Sequence, residues 1–144
     1  MNDDTRQALH DAAARSMDPV DVQALVTCAV TALQSSAFQS ALEILEGVTV
    51  LEPDHAQAWG LTAMAHEKLG RDDEARLAYE RAVALDETDL VHALALVEVY
   101  LRQSDLGRAR ALVSWLITEV ADDAPDIRDR ARAIHSTLAA EVTR

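Results

Sequence analysis

The stretch 56–89, AQAWGLTAMAHEKLGRDDEARLAYERAVALDETD, decides the fold. It reads as two helical segments broken at Leu69-Gly70-Arg71-Asp72, where a glycine ends one helix and an aspartate caps the next. Small residues stand at Ala63, Ala75 and Ala82, and large ones at Trp59 and Tyr79. Working outward, Ala75 recurs 34 residues to either side, as Ala41 and Ala109. Four residues after these anchors come Leu45, Tyr79 and Val113, and seven after come Val48, Ala82 and Leu116. Sixteen before them come Leu25, Trp59 and Ala93; twelve before, Ala29, Ala63 and Val97; nine before, Ala32, His66 and Tyr100. A fixed period of this length is the signature of a helix–turn–helix solenoid, not of an enzyme core.

These columns resemble the tetratricopeptide repeat, in which small residues let two helices cross closely and large ones fill the gaps between repeats. The windows are 22–55, 56–89 and 90–123. The middle one is the most faithful, departing at His66, where an aromatic is usual, and at Glu87, where a proline usually ends the unit. The first window has that proline as Pro53 and an aromatic in the turn as Phe38; the third keeps Tyr100 but has Ser104 for the turn glycine. The resemblance implies an all-α helical solenoid. Residues 1–17 would be an N-terminal arm or short helix, 18–123 would hold the three repeats, and 124–144 would form a capping helix.

The elements follow from local signals. Asp18-Pro19 starts a helix that runs to about Leu33, and Gln34-Ser35-Ser36 breaks it. Helices are predicted over about 38–51, 55–69, 72–85, 89–102 and 106–120. After Asp123-Ala124-Pro125, Ile127, Ala131, Ile134, Leu138 and Val142 keep to spacings of three or four, giving a last helix with one apolar face. Its other face carries Arg128, Arg130, Arg132 and Glu141, as the end of a solenoid requires.

Composition narrows the function. The 144 residues fit one domain with an almost wholly aliphatic core, since there are only two Trp, two Tyr and one Phe. A net charge of −12 argues against nucleic acid, which needs clustered cations. It suits a basic or aggregation-prone protein partner. Cys28 is alone, so no internal disulfide forms, and it falls among small positions where a packed thiol is expected. The start of the chain does not resemble a secretory signal, and no stretch is long and apolar enough for membrane insertion. A cytoplasmic protein is expected.

No catalytic chemistry is legible. His10, His55, His66, His92 and His135 lack metal-site spacing, the four glycines make no phosphate loop, and the serines lack a His–Asp setting. No cofactor, no metal and no enzyme activity are expected. The informative surface is instead the inner wall of the superhelix. By the resemblance, it takes the second, fifth, ninth, twelfth and thirteenth residue of each window. These are Gln23, Val26, Val30, Leu33 and Gln34; then Gln57, Gly60, Met64, Glu67 and Lys68; then Val91, Leu94, Glu98, Leu101 and Arg102. They are expected to face away from the core as an apolar strip with a charged margin, and such a strip marks a partner site. The bland alternative is that residues 1–17 or a second copy cover it. Val26, Val30, Val91 and Ala95 stand where carboxylate-clamping repeats place cations, so an extended peptide with apolar anchors fits better than a terminal carboxylate.

The chain also resembles the class II chaperones of type III secretion, which hold hydrophobic translocator proteins before export. The resemblance rests on Ala41-Leu42-Glu43-Ile44-Leu45, on Leu51-Glu52-Pro53-Asp54, on Leu101-Arg102-Gln103-Ser104-Asp105-Leu106 with Ala109, and on Ala121-Asp122-Asp123-Ala124-Pro125 with its amphipathic helix. It implies a non-catalytic mechanism in which an extended client segment lies in the concave groove. Val26, Val30, Leu33, Gly60, Met64, Val91, Leu94 and Leu101 would form the pockets, with Gln57, Glu67 and Arg102 bonding the client. A homodimer is compatible with this reading. The alternatives are a generic scaffold that binds a folded partner and a chaperone of the secretion needle subunit.

Overall fold

The computed structural model describes residues 2–14, 19–119 and 124–142. Among these residues are eight α-helices and no strand: α1 (Asp3–Ala14), α2 (Pro19–Gln34), α3 (Phe38–Leu51), α4 (Ala56–Lys68), α5 (Asp72–Leu85), α6 (Leu90–Arg102), α7 (Leu106–Glu119) and α8 (Pro125–Val142). The boundaries read from the sequence agree to within one or two residues. The expected caps Asp18 and Asp123 lie outside the described residues. Helices α1–α5 form one compact unit (Met1–Leu85) and α6–α8 a second (Asp86–Arg144).

The 34-residue period is written into the backbone of the turns. Ser36, Gly70 and Ser104 adopt left-handed φ values of 61°, 73° and 58°. At each, the next N–H reaches back five residues: Ala37 to the Ala32 carbonyl (2.8 Å), Arg71 to His66 (2.9 Å) and Asp105 to Tyr100 (2.9 Å). The left-handed residue itself donates to the carbonyl three back, Leu33, Glu67 and Leu101 respectively. This pair of bonds is the Schellman arrangement, which satisfies carbonyls orphaned at a helix end. Glycine takes the conformation without penalty, whereas the two serines carry a Cβ into it.

Helix starts repeat too. The His55 imidazole accepts the Ala58 N–H (3.1 Å) at the start of α4, and 34 residues on the Asp89 carboxylate accepts the His92 N–H (3.3 Å) at the start of α6. Of the residues opening the second helices, Asp105 caps α7 through the Arg108 N–H (3.2 Å), but Ala37 offers α3 no side-chain bond. Asn2 caps α1 by accepting the Thr5 N–H (2.7 Å).

In the first unit, α2 pairs with α3 and α4 with α5, α3 packs on α4, and α1 touches α3. Short connections make the pairs antiparallel. The core cluster joins Val22, Val26 and Ala29 of α2, Ala41, Leu45 and Val48 of α3, and Ala58 and Leu61 of α4. The Trp59 indole N–H ties α4 to the preceding turn through the Pro53 carbonyl (2.8 Å), and the Tyr79 hydroxyl donates to Glu67, bridging α5 to α4. In the second unit α6 pairs with α7, and α8 packs mainly on α7. Several of the columns that define the period are buried in all three windows: Ala41, Ala75 and Ala109, then Leu45, Tyr79 and Val113, then Val48, Ala82 and Leu116 are all at most 1% exposed, whereas Leu25, Trp59, Ala32 and His66 are half-buried. Burying each of the larger ones contributes about 1.5–3 kcal/mol.

Cys28 is exposed, not packed. Its column partners Thr62 and Leu96 are buried, as are Ala58 and His92 in the column of exposed Ala24, and Ala65 and Val99 in that of exposed Thr31. In α4 this face meets α3 of the repeat before it; α2 opens the repeat array, and the same face is left to solvent.

Candidate functional site

The first helices carry the predicted contact positions, and burial sorts them. In the first unit, Gln23, Gln34, Gln57 and Lys68 are exposed, and Met64 is 39% exposed. Val30 and Leu33 are half-buried against the core cluster, still offering part of their surface. Val26 and Gly60 are buried, contrary to the expectation that they face away from the core. Val22, Val26 and Ala29 follow one another at helical spacing, so the stripe that α2 turns inward includes Val26. Glu67 is half-buried and accepts the Tyr79 hydroxyl, so it braces α4 against α5. The exposed margin of α2 is polar: Thr27 and Thr31 bond their own helix through the Gln23 carbonyl (3.0 Å) and the Thr27 carbonyl (3.1 Å).

In the second unit the face is more apolar. Val91 is 63% exposed, Leu94 and Leu101 are half-buried, and Arg102 is exposed. Glu98 is engaged with Arg130 of α8, whose Nε donates to its Oε1 (2.9 Å) and whose Nη2 donates to the same oxygen. Beside this pair lies a cleft of about 640 Å³ between α8 and the α6–α7 turn. Leu101, Leu106, Ala133, Ile134 and Leu138 line it together with the polar Ser104, Arg130, Thr137 and Glu141. It exists because α8 turns Ile127, Ala131, Ile134 and Leu138 inward while the neighbouring positions, Arg130, Ala133 and Thr137, cannot fill the space beside Leu101. Leu101 alone of the predicted positions is in this cleft. The sequence marks the α8 residues only as a cap, because nothing local says how an amphipathic helix will rotate on its neighbour. Val50 of α3 and Leu77 of α5 are exposed as well, outside the repeat's expected groove positions.

Among the described residues, no group of three His, Cys, Asp or Glu side chains could hold a metal ion. The His66 Nδ1 is buried without a hydrogen-bond partner, and desolvation holds this imidazole's pKa below its ordinary 6.5, with Arg71 acting in the same direction against Glu74 and Glu46. His66 occupies the column that holds Tyr100 one repeat later, a packing position. No helix among the described residues is long and apolar enough to cross a membrane.

Residues 29–89 match the tetratricopeptide repeat family model. The chain has the tetratricopeptide-repeat fold. The type III secretion chaperone SycD of Yersinia enterocolitica, in complex with a peptide of the translocator YopD, superposes with a TM-score of 0.81 at 14% identity, over 88% of this chain and 98% of that one. PcrH in complex with the chaperone-binding region of PopD gives 0.79 at 16% identity, over 88% and 96%; PcrH comes from Pseudomonas aeruginosa. A type III secretion complex from Aeromonas hydrophila gives 0.82 at 15% identity, over 92% and 89%. At these identities the likeness is one of fold. No curated protein sequence matches the chain.

Proposed function

We propose that this tetratricopeptide-repeat protein is a non-catalytic, cytoplasmic chaperone that holds an extended segment of a hydrophobic translocator client before type III export. The observation that carries the reading is the near full-length likeness to SycD and PcrH, both seen with translocator segments bound. The exposed apolar atoms of the first helices supply the means. Val30, Leu33 and Met64 in the first unit, and Val91, Leu94 and Leu101 in the second, are the anchors' contacts; Gln23, Gln57 and Arg102 offer hydrogen bonds to client backbone. Buried Val26 and Gly60 shape the surface from beneath, and Glu67 stays with Tyr79. The net charge of −12 favours a client segment with basic flanks.

Met64→Glu tests the reading. An apolar anchor gains about 1.5–3 kcal/mol by leaving water, so a charge at Met64 weakens a client segment found by co-purification by about tenfold or more. Because Met64 is 39% exposed, the thermal midpoint stays close to that of the parent. Unchanged affinity moves the contact to another face. Co-purification that yields no membrane-inserting secreted protein overturns the client assignment.

A further inference from the structure

His66 lies in the last turn of α4, half-buried, with its Nδ1 buried and without a hydrogen-bond partner. Three charged side chains act on the ring from the elements around it: Glu74 in the first turn of α5, Arg71 in the α4–α5 turn and Glu46 of α3. All three are exposed. Helix α2, which also touches α4, has only Asp21 and Cys28 as ionisable side chains. The backbone at this position closes the turn. The His66 carbonyl accepts the Leu69 N–H (3.1 Å) and the Arg71 N–H (2.9 Å), and the Glu67 carbonyl accepts the Gly70 N–H (3.0 Å). One repeat later the same column holds Tyr100 and the same bonds close the turn at Ser104 and Asp105. Of the two aromatic side chains, histidine is the one that gains a positive charge as pH falls.

We propose that His66 is a proton-operated latch on the α4–α5 turn: packed inward when neutral, it turns out towards the Glu74 carboxylate when protonated and loosens that turn. A neutral ring carries its hydrogen on Nε2 and leaves Nδ1 as a bare acceptor, at modest cost. An imidazolium carries a hydrogen on both nitrogens, so an inward Nδ1 becomes a buried charged donor with nothing to accept it. Turning outward exchanges that penalty for a charge pair with Glu74, against the opposing charge of Arg71. Burial outweighs the two carboxylates and holds the folded-state pKa below 6.5. The latch is therefore shut above pH 6.5 and opens as pH falls through the folded-state value. Glu67, which takes the Tyr79 hydroxyl, and Lys68 follow His66 in the same turn of α4, so opening slackens this end of the expected contact face. That consequence rests on the client-binding reading, whereas the latch itself does not.

The test uses the full chain, without client, and reads it by NMR. The His66 ring protons are followed through a pH titration. Amide hydrogen exchange of Gly70 and Arg71 is measured at pH 7.5 and 5.0, each rate divided by that of an unstructured chain at the same pH. These two amides are expected to lose about threefold or more of their protection at the lower pH, while Ser104 and Asp105 in the α6–α7 turn keep theirs. His66→Phe abolishes the loss, and His66→Tyr, which copies Tyr100, does the same should phenylalanine pack poorly. Glu74→Gln lowers the midpoint of the His66 titration because the imidazolium loses its carboxylate, and Arg71→Gln raises it. Equal protection of Gly70 and Arg71 at the two pH values overturns the proposal. So does an equal loss in the α6–α7 turn, an equal loss in both aromatic variants, or a midpoint that neither charge variant moves. The client reading is tested separately by Met64→Glu, so failure of one is distinguishable from failure of the other.

Discussion

The two compact units are built from the same repeat but finish their cores differently. In the first, α4 is packed between α3 and α5, and Ala58, Ala63 and Ala65 of α4 are fully buried. On the first helices of this unit the exposed margin of α2 is polar, Val30 and Leu33 are half-buried, and Met64 stands out on α4. In the second unit, α8 has α7 as its main neighbour and only a light contact with α6. Of its inward stripe, Ala131 and Leu138 are buried, Ile127 and Ile134 only half so. Both units leave apolar atoms exposed, Val50, Met64 and Leu77 in the first and Val91 in the second, but only the second has the cleft beside its last described helix. A repeat core is closed by the helices packed on it, and α8 covers its neighbours less completely than α3 and α5 cover α4.

The largest effects expected to test this contrast are core truncations. Leu45→Ala in the first unit and Leu138→Ala in the second remove buried side chains and each cost about 2–5 kcal/mol in denaturant unfolding. Ile134→Ala, at a half-buried position lining the cleft, costs distinctly less than Leu138→Ala; an equal cost indicates that the cleft is closed in solution. Deleting 126–144 lowers both stability and solubility, and a neutral outcome removes α8 from the core of the second unit.

Local backbone changes come next, at about 1 kcal/mol each. Ser36→Gly and Ser104→Gly relieve a Cβ in left-handed conformation and stabilise their turns, one in each unit. Gly70→Ala destabilises by a similar amount for conformational reasons alone, because a Cβ there meets no atom within 4 Å. Ala37→Asp supplies the cap that Asp105 already gives α7, raising stability by about 1 kcal/mol. If the serine and glycine variants move stability in the same direction, the shared turn geometry is wrong.

The smallest effect is in pH. Burial holds the His66 pKa below 6.5, so the folded state binds its proton less readily than the unfolded chain. The associated stability is fully present above pH 6.5 and is lost as pH falls through the folded-state value. His66→Phe removes this dependence, flattening the stability difference between pH 7.5 and 5.5 relative to the parent. Identical slopes for the two proteins show that His66 stays as hydrated in the folded chain as in the unfolded one.

Repeat number, helix boundaries and the identity of the tight-packing columns were all legible in the residues. They are local or periodic properties: Gly70 ends a helix, Asp89 starts one, and Ala41, Ala75 and Ala109 recur at a fixed interval whatever lies around them. The exposure of the expected groove positions was legible only in part. Met64 and Val91 are exposed as their column predicts, but Val26 shares that surface in the repeat pattern and is core in the structure. Cys28 inverts the same lesson, since its column is buried in every repeat except the one that begins the array. By itself, the sequence determined which residues form helices and which faces of them are apolar, because helix periodicity and capping are set within a few residues. Only the tertiary structure decided which apolar faces are covered, how α8 rotates on α7 and hence where the cleft opens, because burial depends on neighbours brought in from elsewhere in the chain.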